Sequence, residues 1–103
     1  MLKLRHIHLP ARDPEGLAGW YAATFGLEQR RNFAIGEEAL LVFAQGAPLA
    51  NGLVHFGFHV ECPEEVETWA ARFGAVDQID TAPDYAGFKL RDPEGNLIEV
   101  YWD

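Results

Sequence analysis

From Gly87 to Trp102 the chain alternates apolar and polar side chains on either side of a turn, and few patterns restrict a fold so tightly. The turn is Asp92-Pro93-Glu94-Gly95-Asn96. Proline presets φ at its position and glycine is free to take φ > 0, so the flanking segments should fold back as paired strands. Strand side chains point alternately to opposite faces. Phe88 and Leu90 with Ile98, Val100 and Trp102 therefore make an apolar face, and Lys89, Arg91, Glu99 and Tyr101 make the opposite one. Glu99, a carboxylate in mid-strand between Ile98 and Val100, is a first candidate site residue.

The same sorting occurs at two distant places. In Leu4-Arg5-His6-Ile7-His8-Leu9-Pro10 the histidines share one face and the aliphatics the other. In His55-Phe56-Gly57-Phe58-His59-Val60 the apolar residues again alternate with two histidines, and Gly57 leaves open space between them. All four histidines thus fall on polar faces of predicted strands. If these strands belong to one sheet whose apolar side is covered by helices, its other side carries His6, His8, His55, His59 and Glu99 together.

Between the strands the helix signals are clear. Asp13 is a good N-cap, Pro14 suits the first helical position, Glu15 favours the positive end of the dipole, and Gly26 closes the run as a left-handed cap. Leu17, Trp20, Tyr21, Thr24 and Phe25 follow helical spacing. Residues 27–33 and 38–45 read as two strands, the second an apolar run suited to burial on both faces. Residues 46–52 read as a loop. One constant offset then brings His6 onto His55, Pro14 onto Pro63, Glu15 onto Glu64, Trp20 onto Trp69 and Ala22 onto Ala71, which marks two copies of one unit. The second helix should run from Pro63 to Phe73, burying Val66, Trp69, Ala70 and Phe73. Strands should follow at 77–81, 88–91 and 97–102.

A chain of 103 residues with 49% hydrophobic side chains has material for one compact domain. Its formal net charge of -8, from eight Lys and Arg against sixteen acids, argues against a nucleic-acid or anionic-membrane partner. No apolar run approaches membrane-spanning length, and Met1-Leu2-Lys3-Leu4-Arg5 leads straight into a strand pattern without a signal-like region. A cytoplasmic protein is the expectation. The lone Cys62 has no internal disulfide partner and reads as a small residue just before a helix.

Four segments carry a family resemblance: His6 to Asp13, Trp20-Tyr21 to Phe25-Gly26-Leu27, His55-Phe56-Gly57-Phe58, and Asp92-Pro93-Glu94-Gly95-Asn96-Leu97-Ile98-Glu99. Together they resemble the vicinal oxygen chelate superfamily, which includes glyoxalase I, extradiol ring-cleavage dioxygenases, fosfomycin resistance transferases and bleomycin resistance proteins. The resemblance implies an α+β fold of two βαβββ-type modules, about 1–50 and 51–103, forming a curved mixed sheet around a divalent metal with helices on the outer face. It also implies a homodimer, the modules pairing within one chain or being exchanged between two. The first module looks short of sheet, which favours help from a second chain.

By the same resemblance His6, His55 and Glu99 occupy metal-ligand positions. Independently, two imidazoles and one carboxylate match the facial arrangement that leaves coordination positions open for substrate or oxygen. A four-ligand glyoxalase-type site would carry another carboxylate in the strand Ala39 to Ala44, near Leu41, where this sequence has only apolar side chains. That departure favours three-ligand chemistry on a small oxygen-chelating substrate, with Fe(II) as the leading metal and Mn(II), Zn(II) or Ni(II) as alternatives. Dioxygenase-like or lyase/isomerase chemistry is one reading. Thiol transfer, as in fosfomycin resistance, is another, and the end of the chain at Asp103, without that branch's basic extension, weighs against it. Ligand sequestration without a catalytic metal, as in bleomycin resistance, is the third.

Around this triad, His8 reads as a general acid or base, or as a hydrogen-bonding wall residue. Lys89 faces Glu99 across the hairpin, either to hold an anionic group or as a plain salt bridge. Tyr101 either donates a phenolic proton or lines the site. His59, near a strand end, reads as a surface residue, and Trp20, Trp69 and Phe73 as core.

Overall fold

The computed structural model describes residues 1–49 and 54–103, so residues 50–52 of the expected loop lie outside the described residues. Contacts divide the chain into two units, Met1–Ala50 with Pro93–Gly95, and Asn51–Asp92 with Asn96–Asp103.

The first unit runs β1 (His6–Ala11), α1 (Pro14–Phe25), β2 (Glu28–Arg30), β3 (Phe33–Ile35) and β4 (Leu40–Gln45). Its four-stranded sheet has the order β1-β4-β3-β2, with β1 parallel to β4 and the other pairs antiparallel. The second runs β5 (His55–His59), α2 (Pro63–Arg72), a 3₁₀ turn (Val76–Gln78), β6 (Asp80–Ala82), β7 (Tyr85–Arg91) and β8 (Leu97–Trp102). Its sheet repeats the arrangement strand for strand, β5-β8-β7-β6, with β5 parallel to β8. The α+β class and the βαβββ module are thus as expected, each module making a four-stranded mixed sheet of its own.

Helix α1 starts where the sequence signals it. The Asp13 carboxylate accepts from Gly16 N at 3.1 Å, and Gly26 ends the helix at φ 71°. The helix packs on β3 and β4, with Leu17, Ala18 and Tyr21 buried and the Tyr21 ring stacked on Phe43 at 5.5 Å. Helix α2 covers β7 and β8, where Phe88, Ile98 and Val100 are 1% exposed or less. Burying a side chain of this size contributes roughly 1.5–3 kcal/mol.

Several boundaries differ from the sequence reading. The single strand expected over 27–33 is two short strands folded on each other at Arg31 and Asn32. Arg31 takes φ 51°, the only positive φ outside glycine among the described residues, while Gln29 Nε2 donates to the Arg31 carbonyl at 2.9 Å. Asn32 Nδ2 then ties the turn to the Phe43 carbonyl at 2.7 Å. The first module is therefore not short of sheet. Leu4 precedes β1 and is 85% exposed rather than sharing its apolar face. The strand expected over 77–81 is the 3₁₀ turn followed by β6, and β7 starts earlier than expected, at Tyr85. Trp20, Trp69 and Phe73 are half-buried, because Leu17, Tyr21, Val66 and Ala70 take the inward positions; Trp69 carries the Arg72 guanidinium 4.3 Å above its ring.

The final hairpin is locked by its own motif. Asp92 N donates to the Asn96 carbonyl at 2.9 Å, and the buried Asp92 carboxylate accepts from Asn96 N at 2.9 Å and Asn96 Nδ2 at 2.8 Å. Gly95 takes φ 88°, which a side chain would resist. At the tip, counted with the first unit, Glu94 accepts from Arg12 N at 2.6 Å and Asp13 N at 2.9 Å.

Candidate functional site

In the second unit the sheet register fixes what shares the face turned away from α2. Gly57 of β5, Glu99 of β8 and Lys89 of β7 lie in one row; His59, Tyr101, Gly87 and Asp80 lie in the next. His55 and Tyr85 stand on the same face of their strands. Glu99 is the centre of this group. Its Oε1 lies 4.0 Å from His55 Nε2, and its Oε2 lies 3.6 Å from Lys89 Nζ and accepts a short hydrogen bond from the Tyr85 hydroxyl. The Glu99 side chain is 14% exposed, so these partners replace most of its water. Burial, the hydrogen bond to Glu99, and the negative charges of Glu99 and Asp80 push the Tyr85 phenol up to about 12.

Two glycines make room for the two tyrosines. A Cβ on Gly87 would lie 2.9 Å from Tyr85 Cζ, and one on Gly57 would lie 2.7 Å from Tyr101 Cε1. Tyr101 thus lies across Gly57, with its ring 5.3 Å from that of His59 and steeply inclined to it. His59 turns to the end of the strand, its Nε2 3.4 Å from Asp103 Oδ1.

In the first unit His6 and His8 are both exposed on the face of β1 opposite the buried Leu9 and Ala11, with ring centroids 5.2 Å apart. The register sets Leu40 and Val42 of β4 beside them, while Leu41 belongs to the helix-facing side with Ile7. The β4 neighbours that share the face of the two histidines are thus both apolar.

The second unit accordingly brings together His55, Glu99, Lys89 and Tyr101, and the first unit His6 and His8. Tyr85 was not anticipated from the sequence. Its only signal there is a glycine at same-face spacing, Gly87, which lets a tyrosine lie along its own strand. An imidazole nitrogen 4.0 Å from a carboxylate oxygen is a donor pair of types that suit a borderline divalent cation. Among the described residues no group of three or more His, Cys, Asp or Glu side chains is gathered for a metal ion, so the second unit offers a pair of ligands.

A family profile described as a glyoxalase-like domain matches residues 6–101. Among solved structures, lactoylglutathione lyase from Agrobacterium tumefaciens is similar with a TM-score of 0.73 at 24% identity, over 96% of this chain and 92% of that one. A glyoxalase/bleomycin resistance protein/dioxygenase family enzyme from Burkholderia phytofirmans gives 0.73 at 15% identity, over 97% and 98%. The oxidase ChaP-H2 gives 0.71 at 20% identity, over 99% and 94%. At these identities the likeness speaks for the fold. No curated protein sequence matches the chain. Among the described residues no helix is long and apolar enough to cross a membrane.

Proposed function

Because the chain belongs to the glyoxalase-like domain family, within the vicinal oxygen chelate superfamily, we propose that it is a small metal-dependent enzyme whose ligands are His6, His55 and Glu99. The observation that carries this reading is the His55–Glu99 pair, 4.0 Å apart on adjacent parallel strands, with the carboxylate held from its other side. His6 occupies in β1 the place that His55 occupies in β5, at the start of the first strand of its module. A divalent ion, Fe(II) first among the candidates, would act there as Lewis acid and template for a substrate offering adjacent oxygens.

The chain's own residues supply the rest. His8, beside His6, serves as general acid or base. Lys89 steadies negative charge at the Glu99 edge, and Tyr101 walls the site over Gly57. We favour dioxygenase-like or lyase/isomerase chemistry, carried out by a homodimer in the cytoplasm.

A second reading, ligand sequestration without a catalytic metal, is favoured by one observation. Glu99 already has a cation and a hydrogen-bond donor, Lys89 and Tyr85, so its carboxylate is satisfied without a metal. Elemental analysis of protein purified without added metal, repeated on Glu99→Ala, separates the two. Stoichiometric metal in the wild type and little in the variant supports the enzyme. A wild type that stays empty after anaerobic addition of Fe(II) or Mn(II) supports sequestration.

A further inference from the structure

We propose that Tyr85 is the positioning residue of Glu99, and that Gly87 is kept side-chain-free as the seat across which its phenol reaches. The inference rests on Glu99 being a metal ligand and extends that reading to Tyr85 and Gly87.

Glu99 pairs in register with Lys89, while Tyr85 starts the same strand and pairs with Ala82 on its other side. Residues on one strand face recur every second position, about 6–7 Å apart. A phenol at 85 therefore meets a carboxylate beside 89 only by lying flat along β7 and crossing position 87. There the backbone is glycine, and an added Cβ would sit 2.9 Å from Tyr85 Cζ and 3.1 Å from Tyr101 Cβ. Contacts under 3.0 Å demand displacement, and Tyr85 is the group that would move.

The hydroxyl donates to Oε2, and Oε1 is the oxygen nearest His55. Holding one carboxylate oxygen fixes the rotamer that aims the other, which is how an outer-sphere donor orients a metal ligand. Lys89 also reaches Oε2, but from a side chain 42% exposed and with several rotatable bonds. The phenol has two, and its ring is half-buried. Tyr85 is thus the stiffer of the two groups on Oε2.

The test is titration of Mn(II) into the full-length wild type, Tyr85→Phe, Gly87→Ala, the double variant and Glu99→Gln. Calorimetry is read together with the electron paramagnetic resonance spectrum of the bound ion. Tyr85→Phe should weaken Mn(II) binding by about tenfold to a hundredfold, with an altered resonance line shape and a metal-free melting temperature close to the wild type. Gly87→Ala should reproduce the loss although it retains the hydroxyl, and the double variant should bind no more weakly than the weaker single one. If Tyr85→Phe binds like the wild type while Glu99→Gln does not bind, the positioning role is wrong and the metal site stands. Affinity lost only through a collapse of the metal-free fold makes the phenol a structural residue and also overturns the inference. A wild type without affinity, or Glu99→Gln binding normally, removes the metal reading and this inference with it.

Discussion

Lys89 Nζ lies 3.6 Å from Glu99 Oε2 across the antiparallel pair β7–β8, with the lysine side chain 42% exposed and the glutamate 14%. An ion pair open to water at one end contributes about 0–1 kcal/mol to folding. For a cation at Glu99 the lysine matters more, because its ammonium repels a second positive charge and competes for the same carboxylate. Lys89→Met should therefore leave the melting temperature nearly unchanged and tighten Mn(II) binding by about threefold to tenfold at low ionic strength. Titration calorimetry decides the matter; weaker binding in the variant would mean that the lysine supports the cation site instead of opposing it.

The Tyr85 phenol gives a pH signature. Burial, the hydrogen bond to Glu99 and the charges of Glu99 and Asp80 raise it from 10.0 to about 12. A group whose folded pKa lies above its unfolded one favours the native state fully below the unfolded value and loses that contribution as pH rises through the folded value. The loss for Tyr85 should thus begin near pH 10 and be complete beyond about 12. Titration of the metal-free protein in the tyrosinate absorbance band should show a step near pH 12 that vanishes in Tyr85→Phe. Over the same alkaline range, the wild type should lose more stability than the variant.

Asp92 and Asn96 predict a stability effect far from any chemistry. The Asp92 carboxylate satisfies two donors of Asn96, and both residues are buried, at 4% and 7% exposure. Asp92→Ala strands a backbone N–H and a side-chain amide, at roughly 1–3 kcal/mol for each group that water cannot reach. Denaturant unfolding should show a loss of about 2–4 kcal/mol, with the register of β7 and β8 loosened. Asp92→Asn should recover part of it, because the amide oxygen still accepts one of the two bonds.

These cases also separate what the sequence discloses from what it hides. Glu99 is legible because a strand has a period of two, and a carboxylate between Ile98 and Val100 can only face away from the core. The Asp92-Pro93-Glu94-Gly95-Asn96 turn is legible because proline and glycine carry their backbone angles with them. The β2–β3 hairpin is hidden, since its turn uses Arg31 and Asn32 without glycine or proline. Its positive φ is held by Gln29 and Asn32 side-chain bonds that only the folded chain supplies. Tyr85 is hidden for a related reason: its place depends on a rotamer that runs along β7, and composition carries no trace of a rotamer. Trp20 and Trp69 mislead in the other direction, because helical spacing marks a stripe but not which edge of the stripe meets the sheet.

His55 and His59 stand on one face of β5, and their surroundings assign them opposite weight. His55 Nε2 points toward Glu99 Oε1, whereas His59 Nε2 lies 3.4 Å from Asp103 Oδ1 at the strand end, with its side chain 44% exposed. Removing His59 deletes an exposed pair and a ring contact with Tyr101, and should change stability by less than about 1 kcal/mol. Removing His55 takes away the imidazole that pairs with Glu99. His55→Ala should therefore weaken Mn(II) binding by more than about a hundredfold, while His59→Ala stays within about twofold of the wild type. Parallel titrations of the two variants check this, and equal losses would mean that the cation, if bound, sits nearer Tyr101 and the strand end than Glu99.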